Sequence, residues 1–425
     1  MIKALYGLGI ASAVICILTI LLFVFRNKAK VISNTLKFSV GVLAVLIIAF
    51  GFTFSKYQSD SKSAAKWIPE LTGYYEEINI PNIGRYSGDL ENGMMSGVGT
   101  IIYVDGSKYT GDLRNNKRDG NGTYTAVNGD EYSGEWQNDL KNGSGTYHYN
   151  DKSIYDGDWK DDKREGTGTF TYSNGNEYTG EWKADLRNGK GILTYSSGEK
   201  YDGEWEDDKR SGSGTYSYLN GDRYTGEWND DKISGQGTYS YSNGETYIGH
   251  FDDGSKSGNG TYRYHAGDVY VGNWKNNMPN GKGTYTWAEG YKYEGDFADG
   301  VKQGNGTYTY PDGSVYTGAF ANDKENGSGT FKSKDGWLYV GSWKDGKRNG
   351  KGRLTNKNGT YYDGDFVNNM KQGAGIETYK DDDGKDIGKY QGSFANNLRN
   401  GQGTFTYNNG YVMSGVWKDD KLVSE

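Results

Sequence analysis

The stretch Glu131-Tyr132-Ser133-Gly134-Glu135-Trp136-Gln137-Asn138-Asp139-Leu140-Lys141-Asn142-Gly143-Ser144-Gly145 decides the fold of this chain. Its general form is Y-x-G-x-(W/F)-x6-G-x-G-T, followed by two aromatics and a turn. The tyrosine recurs at Tyr86, Tyr109, Tyr132, Tyr155, Tyr178, Tyr201, Tyr224, Tyr247, Tyr270, Tyr293, Tyr316, Tyr339 and Tyr362, thirteen positions spaced 23 apart. Self-similarity at a fixed period of this length means an array of supersecondary units rather than one globular core.

Within a unit the side chains alternate with period two, the pattern of strands. Tyr132, Gly134 and Trp136 share one face, and Ser133 and Glu135 the other. Gly143, Gly145, Tyr147 and Tyr149 likewise read as sharing one face. Each unit therefore reads as two short antiparallel strands with an aromatic-and-glycine face and a mostly acidic face. Tyr178, Gly180, Trp182, Gly189 and Gly191 repeat the set one unit further on. The glycines have a steric reason, because a ring lying across a neighbouring strand needs a position without Cβ. Between units, Asn128-Gly129, Asn174-Gly175, Asn220-Gly221, Asn243-Gly244 and Asp312-Gly313 read as type I′ hairpin turns. Asn150-Asp151-Lys152 lacks the glycine, which predicts a longer or more strained turn there.

Composition agrees with an array. The 425 residues include 67 glycines and 38 tyrosines but 4 prolines. Aliphatic residues are scarce after position 66, so stability has to come from ladder hydrogen bonds and aromatic packing. Residues 67–425 hold 40 basic and 54 acidic side chains, which argues against nucleic acid as a partner. The single cysteine, Cys16, excludes disulfides within the chain and cysteine-ligated metal.

The first 56 residues differ from the rest. Residues 4–25 carry no charge, nor do residues 38–54, and each run is near the ~20 residues a helix needs to cross a bilayer. The expectation is a helical transmembrane hairpin, with Arg26, Lys28, Lys30 and Lys37 in its loop. The positive-inside rule, led by the first helix, favours a cytoplasmic loop, a multi-pass membrane placement and an extracytoplasmic repeat region. Residues 57–85 read as a tether and N-terminal cap.

Y-x-G-x-W followed by G-x-G-T at a 23-residue period resembles the MORN (membrane occupation and recognition nexus) repeat over residues 86–425. The phase shifts by five residues across 380–388, resumes at Tyr390, and a last unit begins at Met413, for about fifteen units. The resemblance implies an elongated single-layer antiparallel sheet of successive β-hairpins, used as a scaffold or membrane-associated adaptor.

No constellation points to catalysis. His148, His250 and His265 lie in different units without convergent ligands, and Asp381-Asp382-Asp383-Gly384 lacks the register of a calcium loop. Acid pairs such as Asp161-Asp162, Asp207-Asp208 and Asp230-Asp231 read as solubilising turn residues and edge charges. No cofactor or metal is expected, and the chain reads as non-enzymatic. The aromatic face is the feature that asks for a function. Tyr172, Tyr195, Tyr218, Tyr241 and Tyr264 form a row near the turn to the next unit, where rings stay open to a partner. That partner is read as a protein, a membrane component or a second copy of the chain, with an envelope glycan or polymer as the alternative.

Overall fold

The computed structural model describes residues 72–381 and 383–425, and over these residues the chain is built of 31 β-strands. No helix among the described residues is long and apolar enough to cross a membrane. The helices expected over 4–25 and 38–54 fall outside the described residues, as does residues 57–71 of the tether. Over the described residues the fold class is accordingly corrected to all-β. The multi-pass placement, and the extracytoplasmic placement that depended on it, is withdrawn with it. The physical reason is visible in the strands, none longer than 11 residues, whose alternation brings a polar side chain or a glycine every second or third position.

Two compact units are distinguished. Among the described residues one comprises residues 72–127 with Trp136–Asp139, the other Asn128–Glu135 with Leu140–Glu425. In the first, Gly73–Ile80, Gly84–Glu91, Met94–Tyr103, Lys108–Arg114 and Lys117–Thr125 pair antiparallel in sequence order. In the second, the same meander runs from Leu140–His148 and Ile154–Lys160 to Val412–Lys418 and Lys421–Ser424.

The repeat centred on Tyr178 shows how one unit is made. Its first strand, Glu177–Lys183, carries Tyr178, Gly180 and Trp182, and its second is Leu186–Thr194. Tyr178 is 0% and Trp182 4% exposed. The Tyr178 hydroxyl donates to the Glu181 carbonyl at 3.0 Å, and the Trp182 indole N–H to the Gly168 carbonyl of the preceding unit at 3.2 Å. Both polar tips are therefore satisfied while the rings are dry. A Cβ on Gly191 would stand 2.2 Å from the Tyr178 hydroxyl and 2.5 Å from its ring, so the ring occupies the space that glycine leaves. Tyr178 meets Trp182 edge-on at 5.1 Å and Trp205 of the next unit at 5.4 Å. Each such pair adds about 0.5–1.5 kcal/mol beyond area burial. In the first two units Leu90 and Leu113 fill the tryptophan position, 2% and 4% exposed.

The two glycines of G-x-G address different faces. The register slips between Gly180 and Trp182, and Gly189 sits opposite that slip with φ +92°. This is a β-bulge, which rotates the strand so that a Cβ on Gly189 would meet the Glu181 carboxylate and not a ring. Glu181 accepts the Lys190 N–H freed by the bulge at 3.0 Å. Glu135 does the same for Ser144, and Gly143 faces it as Gly189 faces Glu181. Part of the acidic face is thus a set of bulge caps.

The two kinds of turn differ from expectation as well. The tight two-residue turns lie within the units, at the acid pairs. Asp161 and Asp162 have φ 49° and 69°, and Asp207 and Asp208 φ 46° and 68°, as type I′ requires. The Asn-Gly sites between units are three-residue loops in which only glycine has positive φ. Tyr172 N–H donates to the Asn176 carbonyl and the Tyr172 carbonyl accepts from Gly175 N–H, both at 2.9 Å, while Gly175 has φ +85°. Asn174 serves instead through its side chain, accepting from Asn176 N–H at 3.0 Å. At the glycine-less site Lys152 takes φ 76° with the same two backbone bonds at 2.9 Å. The loop keeps its length and the strain falls on Lys152.

Candidate functional site

Tyr172, Tyr195, Tyr218, Tyr241 and Tyr264 each follow a second strand directly and open the three-residue loop. All five are half-buried, in contrast to the dry tyrosines of the motif. The rings of the row alternate with those of the strand residue two positions earlier and make a ribbon. From Tyr216 the centroids run 4.5 Å to Tyr218, 5.8 Å to Tyr239, 4.5 Å to Tyr241, 5.9 Å to Tyr262, 4.4 Å to Tyr264 and 5.7 Å to Tyr285. Tyr172 rests on Phe170 at 4.4 Å. Tyr195 has Leu193 where other units have a ring, and it touches Tyr216 at 6.2 Å. The fold thus brings Tyr218, Tyr241 and Tyr264 into one continuous ribbon, with Tyr195 joined at its near end. Burial pushes the Tyr172, Tyr218, Tyr241 and Tyr264 hydroxyls up from the ordinary tyrosine range, so they stay protonated donors at neutral pH.

The other motif residues build what lies beneath. Tyr132 packs edge-on against Trp159 at 5.3 Å, and Trp136 against Tyr109 at 5.6 Å with its indole N–H on the Gly122 carbonyl at 3.0 Å. Gly134, Gly145, Gly180 and Gly191 lie where a Cβ would collide with a motif tyrosine.

A second row of side chains runs beside the ribbon, and sequence reading passed over it. Arg187 lies 4.1 Å from the Trp205 ring and is clamped by Asp208, with its Nε 2.9 Å from the carboxylate. Arg164 does this with Trp182 and Asp185, Arg210 with Trp228 and Asp231, and Arg399 with Trp417 and Asp420. In the first compact unit Arg118 does it with Trp136 and Asp139. The acid pairs are therefore not mere surface charge: their second member clamps a cation from the preceding unit onto a tryptophan. The sequence does carry a signal. Where the clamp position holds Ile233, Pro279 or Glu325, the partner turn has Gly254, Gly300 or Gly346 in place of Asp or Asn.

On the opposite margin, the loop carboxylates bind ribbon hydroxyls. Asp222 accepts from Tyr239 at 3.0 Å, Glu245 from Tyr262 at 2.6 Å and Asp268 from Tyr285 at 2.7 Å. Between ribbon and clamps lie open clefts, one of about 430 Å³ lined by Phe170, Tyr172, Arg187 and Asp208 and another of about 360 Å³ lined by Tyr218, Trp228, Arg210 and Asp231. Among the described residues no group of three or more His, Cys, Asp and Glu is placed to hold a metal. Asp381 closes its own hairpin, accepting from Lys385 N–H at 2.8 Å.

A meander of hairpins with a buried Tyr-Trp ladder defines a β-repeat protein. The MORN repeat family model matches fourteen stretches, from 86–108 through 362–384 and then 390–410, and the chain belongs to that family. No curated protein matches it. Among solved structures it is similar to the TCP10 domain of Danio rerio CPAP in complex with a peptide of Danio rerio STIL, at 13% identity over 55% of this chain and 97% of that one, with a TM-score of 0.30. It is similar also to the SAS-4 (dCPAP) TCP domain of Drosophila melanogaster in complex with a proline rich motif of Ana2 (dSTIL), at 16% identity over 40% and 86%, with a TM-score of 0.25. At such scores neither likeness carries an argument about what this chain binds.

Proposed function

We propose that the repeat array is a non-enzymatic docking scaffold, and that the ribbon from Tyr172 to Tyr264 is where it takes a partner protein. The observation behind this reading is the contrast between two sets of tyrosines. The motif set is dry and bonded to backbone carbonyls, as a core requires. The row from Tyr172 to Tyr264 is half-buried and flanked by clefts, and from Tyr195 onward its rings are joined through the strand residues between them, which a fold needing only its core has no cause to maintain.

Two variants of the full chain test it. Trp182→Ala removes a core ring and its bond to Gly168, at a cost of about 3–5 kcal/mol. Replacing Tyr172, Tyr195 and Tyr218 together by serine is expected to lower the melting temperature far less while abolishing partner capture in a pull-down. If the triple variant melts as badly as Trp182→Ala, or captures its partner undiminished, the ribbon is structural and the proposal fails. Retention of isolated envelope polymer in place of protein would transfer the ribbon to the glycan alternative.

A further inference from the structure

The ribbon has a pitch, and the pitch selects a ligand conformation. Two ring-to-ring steps, 4.5 and 5.8 Å through Tyr216, Tyr218 and Tyr239, carry the ribbon from one repeat to the next. The advance per repeat is about 9.6 Å, set by two strands at ~4.8 Å each. A segment lying across the strands meets equivalent rings at that interval. In polyproline II, three residues rise ~9.3 Å and return to the same side, so every third residue presents the same face to each successive repeat. An extended β-segment covers a similar distance in three residues at ~3.3 Å each, but its side chains alternate, and the third points away. An α-helix needs about six and a half residues at ~1.5 Å, which is not a whole number of its turns. Polyproline II also has no internal hydrogen bonds, leaving its carbonyls free for the protonated tyrosine hydroxyls.

Charge selects the ligand's composition. On one margin the outward members of the clamps are carboxylates: Asp185, Asp208 and Asp231 are 43%, 43% and 48% exposed, whereas Arg164, Arg187 and Arg210 are 19%, 18% and 20% exposed. On the other margin stand Asp222, Glu245 and Asp268, bonded to tyrosine hydroxyls. The loop row accompanies the track as far as Tyr285, whereas the clamp carboxylates end at Asp231, beyond which Gly254 and Asn277 take the same place, so a basic segment complements the loop row.

We propose that the ribbon from Tyr172 to Tyr264 binds a proline-rich, basic segment of a partner in the polyproline II conformation, laid across the strands at one three-residue turn per repeat. The proline faces stack on the tyrosines, and every third residue, Arg or Lys, reaches the loop carboxylates. This rests on the docking reading above and names the chemistry of its partner.

The test is fluorescence anisotropy on the full chain with labelled peptides of about 12 residues, ~37 Å in polyproline II and long enough for about four repeats. Repeated Pro-Pro-Arg is expected to bind at least about tenfold tighter than repeated Gly-Ser-Arg, which has the same charge without the conformation, and than repeated Pro-Pro-Glu. Replacing Tyr172, Tyr195 and Tyr218 by serine removes that preference, and Thr179→Ser with Thr225→Ser on the other face leaves it unchanged. Equal binding of Gly-Ser-Arg, absence of Pro-Pro-Arg binding, or ribbon-dependent binding of a neutral β-1,4-linked hexasaccharide instead would overturn the inference. If Pro-Pro-Arg fails while the tyrosine variant still loses its cellular protein partner, this inference falls and the docking reading stands. If the variant loses neither, both fall.

Discussion

Arg187 and Asp208, 21 residues apart in the chain, are joined by four hydrogen bonds: Arg187 backbone N–H to Oδ1 at 3.0 Å, Nε to Oδ1 at 2.9 Å, Nη2 to the Asp208 carbonyl at 2.7 Å, and Asp208 backbone N–H to the Arg187 carbonyl at 3.0 Å. Asp208 can accept the first three because it occupies the second position of a type I′ turn, where positive φ turns its carboxylate and its carbonyl toward the preceding unit. The guanidinium so held covers Trp205 at 4.1 Å. One pair thus links a turn, a neighbouring unit and a core ring.

Removing the charge and keeping the stem isolates this link. Arg187→Met should cost about 2 kcal/mol, combining a charge-assisted bond with a cation–π contact. The loss should shrink with added salt, because the carboxylate side is open to solvent. Urea melts of Arg187→Met, Asp208→Asn and the double variant measure the coupling. Strict additivity of the two single costs would mean that the pair is not a clamp.

Glycine-to-alanine changes should separate the two reasons for glycine. Gly191→Ala drives a Cβ into the Tyr178 ring and should cost more than about 3 kcal/mol, since the dry ring has nowhere to retreat. Gly175→Ala meets only the Ser196 Cβ at 3.3 Å and should cost about 1–2 kcal/mol through its φ of +85°. Thermal melts that rank the two the other way round would contradict the packing role assigned to Gly191.

Lys152→Gly is expected to stabilise the chain by about 0.5–1 kcal/mol. Lysine at φ 76° bears the left-handed strain that glycine relieves, less the entropy glycine loses on folding. A higher urea midpoint at unchanged slope is the measurement, and an unchanged or lower midpoint would mean that the loop tolerates lysine without strain.

Two pH limits follow from the loop carboxylates and the buried tyrosines. The bond from Tyr262 holds the Glu245 carboxyl below its ordinary 4.5 against the opposing effect of burial, with help from Asn243 and His265. Its stabilisation is therefore complete above pH 4.5 and lost as pH falls through the lowered value. At the other end, burial pushes the Tyr216 and Tyr339 hydroxyls up to about 12. Stability from such neutral phenols is complete below pH 10 and lost as pH rises toward 12. Melting temperature against pH should fall off on both sides, and Glu245→Gln should lessen the acid-side loss.

Much of the array was legible because period and alternation are local properties. The 23-residue spacing of Tyr178 and its equivalents, with Gly180 and Trp182 two and four residues on, requires a strand whose aromatic face is the same in every unit. That reading needs no knowledge of what lies next door. Face assignment failed at Gly189, because a bulge is a property of two strands, and turn type failed at Asn174 because loop length depends on how the flanking strands pair.

The clamp of Arg187 on Asp208 and Trp205 was settled by tertiary structure alone. These residues belong to different units, and only the twist and register of stacked hairpins bring them into reach. The ribbon lies between these cases. Sequence placed Tyr172, Tyr195, Tyr218, Tyr241 and Tyr264 in a row, whereas the centroid spacing, the half-exposure and the acidic loop margin came from the packing of one hairpin on the next. A repeating sequence determines what each unit is, because each makes its own alternation. What the units build together depends on distances between them, and only the folded array sets those.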